Sequence, residues 1–335
     1  MPPTPAALSS MTNPKVSILV PVYGVEQYIE RCAISLFEQT YGNIEYIFVN
    51  DATRDDSIAV LNTVINRYPL RKSAVRIIHH PQNKGLSAAR NTAIAHSTGE
   101  YILHVDSDDY LSLDAIAHLT AKALQTRADI VLFDTNVLTD NGIITEQVGY
   151  TDKQTYIKGL LQHTAKCAHW NKFYRGDFYR QSGIQSCEDI RLAEDYAVTP
   201  RLVHAAQTIA VLHEPLYFYE TRNQSSYVHN LTRSAIESQY RADKVLVDWF
   251  RNVQNADTYR DIVNVLPVRS MVSLIKRSDR PAWQEILDIY REYLNLSGKG
   301  MTMVNRIIYH LARHHDWATL QCFMYFYHLV MQDNQ

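Results

Sequence analysis

Along the first part of the chain, short apolar runs alternate with stretches whose apolar residues recur at helical spacing. Lys15–Val22 (K-V-S-I-L-V-P-V) is a β-branched run closed by Tyr23-Gly24 and reads as a strand. Val25–Thr40 repeats apolar residues at Tyr28, Ile29, Cys32, Ile34, Leu36 and Phe37, which predicts a helix. The same alternation continues with a strand at Ile44–Val49, a helix at Asp55–Arg67 and a strand at Val75–Ile78. A turn at Asn83-Lys84-Gly85 then leads into a helix at Leu86–Ala95. Strands at Tyr101–Val105 and Ile130–Phe133 flank a helix at about Leu113–Gln125. Strands and helices in this rhythm imply right-handed βαβ crossovers and a largely parallel sheet, hence an α/β fold.

Beyond this the pattern loosens. Leu138–Val148, with Asn141-Gly142 in its middle, reads as a hairpin. Helical pieces are expected at Tyr156–His163 and Arg191–Val203, and strands at Ile209–Leu212 and Leu216–Tyr219. From Ser234 to about Met331 the spacing is almost wholly helical. The organisation expected from the pattern is a flexible leader over residues 1–13, an α/β domain over 14–232 and a helical region over 233–335.

Composition narrows the function classes. The 335 residues are 46% hydrophobic and 20% charged, an ordinary globular balance. The formal net charge of -2 gives no basic excess to recommend a nucleic-acid partner. Cys32, Cys167, Cys187 and Cys322 are scattered, with neither zinc spacing nor a disulfide framework. No run approaches the ~18 apolar residues of a membrane span, and the N-terminus lacks the regions of a signal peptide.

The densest chemistry lies in His104–Tyr110, H-V-D-S-D-D-Y. Asp106, Asp108 and Asp109 follow a buried-strand run and repel one another unless a cation sits among them. Oxygen-only ligands suit Mg²⁺ or Mn²⁺, which usually also hold substrate phosphates. The plainer reading is an acidic turn capping the next helix. Asp51 ends the second strand, where a carboxylate can accept hydrogen bonds from a base or ribose; capping the next helix is the alternative, for which Asp55 and Asp56 are better placed. Arg90, in N-K-G-L-S-A-A-R-N, could neutralise the acidic loop or a diphosphate, but alone it reads as an exposed helix cation. Glu194-Asp195 sit on a predicted helix, where one could serve as general base or both could be solvated. Trp170–Arg175 (W-N-K-F-Y-R) offers either an aromatic wall with a cation or a packed edge with an exposed Lys172. His213 and His229 are available as nitrogen ligands, though a lone histidine is more often structural. The glycine fingerprints of dinucleotide and P-loop sites are absent.

Taken in order, V-S-I-L-V-P-V-Y, V-N-D-A-T-R-D-D-S, N-K-G-L-S-A-A-R-N, H-V-D-S-D-D, W-N-K-F-Y-R, A-E-D-Y and L-Y-F-Y-E-T-R-N-Q-S-S resemble family 2 glycosyltransferases with the GT-A fold, over roughly residues 14–230. The resemblance implies a Rossmann-like nucleotide-sugar domain, a divalent cation (Mn²⁺ or Mg²⁺) and transfer with inversion. It implies that Pro21, Val22 and Tyr23 line a uridine pocket and that Asp51 binds the base. Asp106 would touch ribose and metal, Asp108 the metal, and Asp109 the donor sugar or acceptor. Asp195, preceded by Glu194, matches the general base; Arg90 and Lys172 match family positions of open role. Ala52-Thr53-Arg54 departs from the family's glycine-bearing turn, which is expected to alter that turn and shift the following helix.

The partners so implied are a nucleotide-sugar donor, UDP by family habit, and a glycan or lipid-linked acceptor of a bacterial surface polysaccharide or lipooligosaccharide. The expected location is the cytoplasm, with peripheral contact at the inner face of the cytoplasmic membrane. Met301–Met331 has an apolar-aromatic pattern with Arg306, His310, Arg313, His314 and His315 beside it, which fits such a membrane surface, packing on the rest of the chain, or a homo-oligomer. Two rival readings are a sugar nucleotidyltransferase, whose Gly-rich basic loop is missing here, and a non-catalytic carbohydrate-binding or scaffold protein.

Overall fold

The computed structural model describes residues 13–223 and 232–332. The first elements follow the apolar pattern: β1 (Val16–Val22), α1 (Ile29–Phe37), β2 (Ile44–Asn50), α2 (Ser57–Arg67), the single turn α3 (Pro69–Lys72), β3 (Val75–His79), α4 (Leu86–His96) and β4 (Tyr101–His104). Next come β5 (Tyr110–Leu111), α5 (Ala115–Thr126), β6 (Ile130–Thr139), β7 (Gly142–Glu146), α6 (Lys153–Leu161), β8 (Lys172–Arg175), α7 (Gly176–Gln181), α8 (Glu194–Ala205) and β9 (Ile209–Glu220). Helices then take over with α9 (Arg233–Asn252), α10 (Arg260–Val263), α11 (Leu266–Lys276), α12 (Arg280–Ile289), α13 (Met303–Arg313) and α14 (Trp317–Gln332).

Within the described residues the chain divides into two compact units. Residues 13–153, 168–188 and 202–223 make the first; residues 154–167, 189–201 and 232–332 make the second. The units are thus interleaved along the chain.

The first unit is built on a sheet of order β3-β2-β1-β4-β8-β6-β9-β5, with β7 added to β6. It is parallel through β3-β2-β1-β4 and again between β6 and β9, while β8, β5 and β7 run antiparallel. All seven residues of β1 are buried, as expected of a strand covered on both faces. Ile18, Val20, Leu36, Phe48, Leu103, Phe173 and Tyr217 belong to one core. At the edge opposite the acidic loop, Gly99 lies so close to β1 that a Cβ would stand 2.6 Å from the Ser17 nitrogen. The same edge buries Glu45. Burial pushes its carboxyl up, but Lys15, Ser17 and the Thr98 N–H outweigh that and hold it at about 2.

Three sequence expectations change here. β6 runs six residues past Phe133, because Asp134 and Asn136 hide polar atoms in local bonds: Asp134 accepts the Val148 N–H at 2.8 Å, and Asn136 accepts the Thr145 hydroxyl at 2.8 Å. The two strands expected over Ile209–Tyr219 are one, β9, whose pairing with β6 shifts near Pro215, where a bulge accommodates the missing N–H. β8 lies between β4 and β6, so Trp170–Arg175 leads into the sheet interior rather than an edge.

In the second unit, the Thr232 side chain accepts the Ala235 N–H and so caps α9. Ile236, Val268, Met271, Ile275, Trp283, Ile308 and Leu320 form a separate core. The stretch expected as one apolar-aromatic run is two helices, α13 and α14, joined by a turn in which His315 has φ +55°. Ile308, Ala312, Leu320 and Met324 pack inward, while Met303, Tyr325, Phe326 and Leu329 stay exposed. No helix among the described residues is long and apolar enough to cross a membrane.

Candidate active site

Strand β4 is buried throughout and ends where the Val105 N–H meets the Leu19 carbonyl at 2.9 Å. The acidic loop begins there, at the carboxyl edge of a parallel strand, where α/β folds place ligands. The loop turns on an Asp109 N–H to Asp106 carbonyl bond of 3.1 Å. Its side chains take different positions. Asp106 is a quarter exposed and accepts from Arg90 Nη2 at 3.1 Å. Asp108 accepts from Asn223 Nδ2 at 2.9 Å; burial, then the charge of Asp106, raise its carboxyl above the usual range. Asp109 is fully buried, accepting from the Tyr217 hydroxyl at 2.6 Å and the Glu220 N–H at 2.7 Å. Burial first, then Asp108 and Asp106, push it well up. Both of its oxygens are spent on internal donors, so it acts as a strut; the expectation that it reaches a sugar or acceptor does not match this placement.

These donors fit a divalent cation. They are all oxygen, and burial beside like charge is the condition a cation relieves. Among the described residues no cluster of three or more ligating side chains exists. Mg²⁺-type sites completed by substrate phosphates need only one or two carboxylates, which Asp106 and Asp108 supply. His213 pairs instead with Asp134, at 3.3 Å, and His229 lies outside the described residues.

Arg90 is 2% exposed, not a surface cation, and is aimed at the acidic loop by α4. Asp51 is 3% exposed; Oδ1 accepts the Lys84 N–H at 2.8 Å and meets His80 Nδ1 at 2.7 Å, while Oδ2 accepts the Gly85 N–H at 2.7 Å. It therefore latches the turn into α4, where Gly85 has φ +93°. Asp55 instead serves the start of α2, accepting the Ser57 N–H and hydroxyl. Ala52 adopts the left-handed backbone that favours glycine, φ +55°. Pro21 and Val22 are buried in β1, and Tyr23 alone of the three is exposed, at 41%.

Trp170 stacks on Tyr217 and Tyr219, with ring centroids 4.7 and 5.1 Å apart. Lys172 is fully buried, donating to the Ala168 carbonyl and Asn171 Oδ1 at 2.7 Å each. The expected exposed lysine is thus corrected: a central strand leaves it no route to solvent, and backbone and amide oxygens satisfy its ammonium. In the second unit, Glu194 and Asp195 are half-buried in the first turn of α8, directly after Ala193 at φ +67°. They lie at the helix start rather than within it, where the dipole stabilises negative charge.

Against known proteins, the profile of the family described as Glycosyl transferase family 2 matches residues 17–179. EpsH of Bacillus subtilis (strain 168) is 30% identical over 236 residues, covering 68% of this chain and 67% of EpsH. The chain belongs to glycosyl transferase family 2. The family 2 domain is an enzyme domain, and EpsH carries the name putative glycosyltransferase. EpsJ of the same organism, named an uncharacterized glycosyltransferase, is 35% identical over 231 residues, covering 63% of this chain. The chain spans 62% of EpsJ, less than two thirds of that relative's length. Among solved structures, residues 1–349 of Staphylococcus aureus TarS in complex with UDP-GlcNAc superpose with a TM-score of 0.74 at 20% identity. That match covers 94% of this chain and 92% of the TarS chain and concerns the fold: α/β with a helical C-terminal region.

Sequence reasoning over the family 2 motifs left L-Y-F-Y-E-T-R-N without roles. Its period-2 alternation carried the signal. Tyr217 and Tyr219 share the face that stacks on Trp170, while Phe218 and Glu220 share the other, where Phe218 stacks on Tyr110 at 4.5 Å and Glu220 binds Arg31 and Arg222.

Proposed function

We propose that the protein transfers a sugar, with inversion, from a nucleotide diphosphate donor, a UDP-sugar, to a hydroxyl of a glycan or glycolipid acceptor in surface-polysaccharide synthesis. The observation that carries this is the pair Asp106 and Asp108 at the end of β4, held in position by Arg90 and Asn223. Support comes from the fold, which is similar to a TarS domain described in complex with UDP and with UDP-GlcNAc.

In this reading Tyr23, with Pro21 and Val22 behind it, borders the nucleotide, and Asp51 fixes the Lys84-Gly85 turn beside the base. Asp106 and Asp108 would hold Mn²⁺ or Mg²⁺, with His229 as a proposed further ligand; the cation supplies charge neutralisation for the departing diphosphate. Arg90 adds a fixed positive charge beside Asp106. The acceptor oxygen attacks C1 from the face opposite the diphosphate, the C1–O bond to phosphate breaks, and the nucleoside diphosphate leaves. Asp195 takes the acceptor's proton, with Glu194 beside it in the same helical turn. Trp170 and Lys172 act by packing. The exposed residues of α13 and α14 are the proposed peripheral membrane contact on the cytoplasmic side. Co-sedimentation with anionic vesicles tests that contact, and none observed removes it.

A donor screen tests the main reading. Protein with Mn²⁺ is incubated with UDP-, GDP-, dTDP- and CMP-sugars, and nucleotide release is followed with and without EDTA. Metal-dependent release of UDP from one donor is the expected result. Failure of all four to be turned over or to raise the melting temperature overturns it.

A further inference from the structure

The acidic loop does not hold its shape alone. Three carboxylates within four residues repel one another, and two of them must still converge on one cation. Arg31, on α1, reaches the loop from a distant part of the chain. Its Nη2 donates to the Asp108 carbonyl at 2.9 Å and to Glu220 Oε2 at 3.1 Å. The guanidinium lies over the Tyr110 ring, 4.6 Å from its centroid, and that ring stacks on Phe218. Glu220 closes the circuit: its N–H donates to Asp109, while its buried carboxylate binds Arg31 and the Arg222 fork. The bonds from Arg222, with those from Arg31, hold that carboxylate down at about 2. Arg31 thus ties α1, the loop backbone and the end of β9 together with one planar group. An ammonium lacks that planar, multi-donor geometry. The Arg31 Nε–H is buried with no hydrogen-bond partner among the described residues, an unusual cost for a side chain kept only for surface charge.

We infer that Arg31 is a positioning residue, which, anchored by Glu220, holds the Asp108 carbonyl directly so that Asp108 and Asp106 receive a divalent cation and a nucleotide diphosphate without reordering the loop. This rests on the proposed function and adds residues to its site. No part of it requires Arg31 to touch substrate.

The test is calorimetric binding of UDP to the full chain, with and without Mn²⁺, for wild type, Arg31→Met and Arg31→Lys, alongside amide hydrogen exchange without ligand. Arg31→Met keeps the apolar stem and removes the donors. UDP binding in Mn²⁺ is expected to weaken by about tenfold or more, the scale of one lost charge-assisted hydrogen bond. Metal-free UDP binding should stay within about twofold, a change well under one such bond. Exchange at the Asp109 amide should quicken without ligand, and Arg31→Lys should recover only part of the loss. Unchanged Mn²⁺-dependent binding in Arg31→Met overturns the inference. So does an equal loss with and without Mn²⁺, together with a lowered melting temperature, which would make Arg31 merely structural. Wild-type protein lacking metal-dependent nucleotide binding overturns the proposed function itself, and the positioning role with it.

Discussion

Asp109 in the first unit and Asp243 in the second are equally hidden, each at 0% exposure, but their surroundings differ in kind. Asp109 sits beside two further carboxylates and is braced by Tyr217 and Glu220. Asp243 stands alone among helices, accepting from Ser270 Oγ and the Tyr290 hydroxyl at 2.8 Å and from Gln239 Nε2 at 3.2 Å. Burial raises Asp243 to about 7 against the pull of those three donors. Hydrogen-bond donors alone leave a buried carboxylate ready to take a proton. Several carboxylates held together by outside struts are instead the arrangement on which the proposed cation site rests. Asp243 is spent on packing within its own core, whereas Asp109 braces a loop that carries two further carboxylates.

The largest expected effect tests the division of labour between carboxylates. Asp195→Asn should cut turnover by ~10²–10⁴-fold, the usual share of a general base, with donor binding near wild type. Asp243→Asn should leave turnover within about twofold, since it removes no group of the proposed site. Steady-state kinetics on the donor found by the screen checks both, and wild-type turnover in Asp195→Asn would refute the base assignment.

Next in size is the pH dependence of stability. The folded state favours protonated Asp243, so its stabilising contribution is complete below the ordinary value of 3.8. That contribution is lost as pH rises through about 7 and is flat above. The loss amounts to at most about 4 kcal/mol. Urea unfolding between pH 5 and 8.5 should show this decline in wild type and a flatter profile in Asp243→Asn. The same slope in both would assign it to another group.

A smaller effect is expected where the struts are cut. Tyr217→Phe removes a donor to Asp109 Oδ2 and an acceptor for the Asp106 N–H, which lies 3.0 Å away. Leaving both unsatisfied should cost about 1–3 kcal/mol and weaken Mn²⁺-dependent nucleotide binding, read by thermal melts and calorimetry. Smallest is Ala52→Gly. Ala52 holds φ +55°, so glycine relieves strain but gives the unfolded chain more entropy to lose on folding, for a net gain under about 1 kcal/mol in a urea melt.

Much of this was readable without coordinates. The alternation of strands and helices up to β4 is local, and so are the motif carboxylates at strand ends. Asp106 and Asp108 could be singled out because strand run, acidic turn and family motif coincide within a few residues. For Asp51 the sequence left a nucleotide-binding carboxylate and a cap of α2 both open, and the Lys84 and Gly85 amides it latches were not foreseeable from its neighbours in sequence. Lys172 was misjudged because a lysine in a short polar-aromatic stretch looks like an edge residue, and nothing local reveals that β8 is inserted between β4 and β6.

The sequence by itself determined which residue types stand at the ends of the early strands and therefore which family the chain joins. Those choices are made within a few positions, by hydrophobic period and turn chemistry. Tertiary structure alone decided which acids became struts and which stayed available. The bonds responsible join Asp109 to Tyr217 across 108 positions, Asp109 to Glu220 across 111 and Arg31 to Glu220 across 189. A carboxylate's role depends on the donors and charges that folding brings to it, and over such separations no local pattern encodes them.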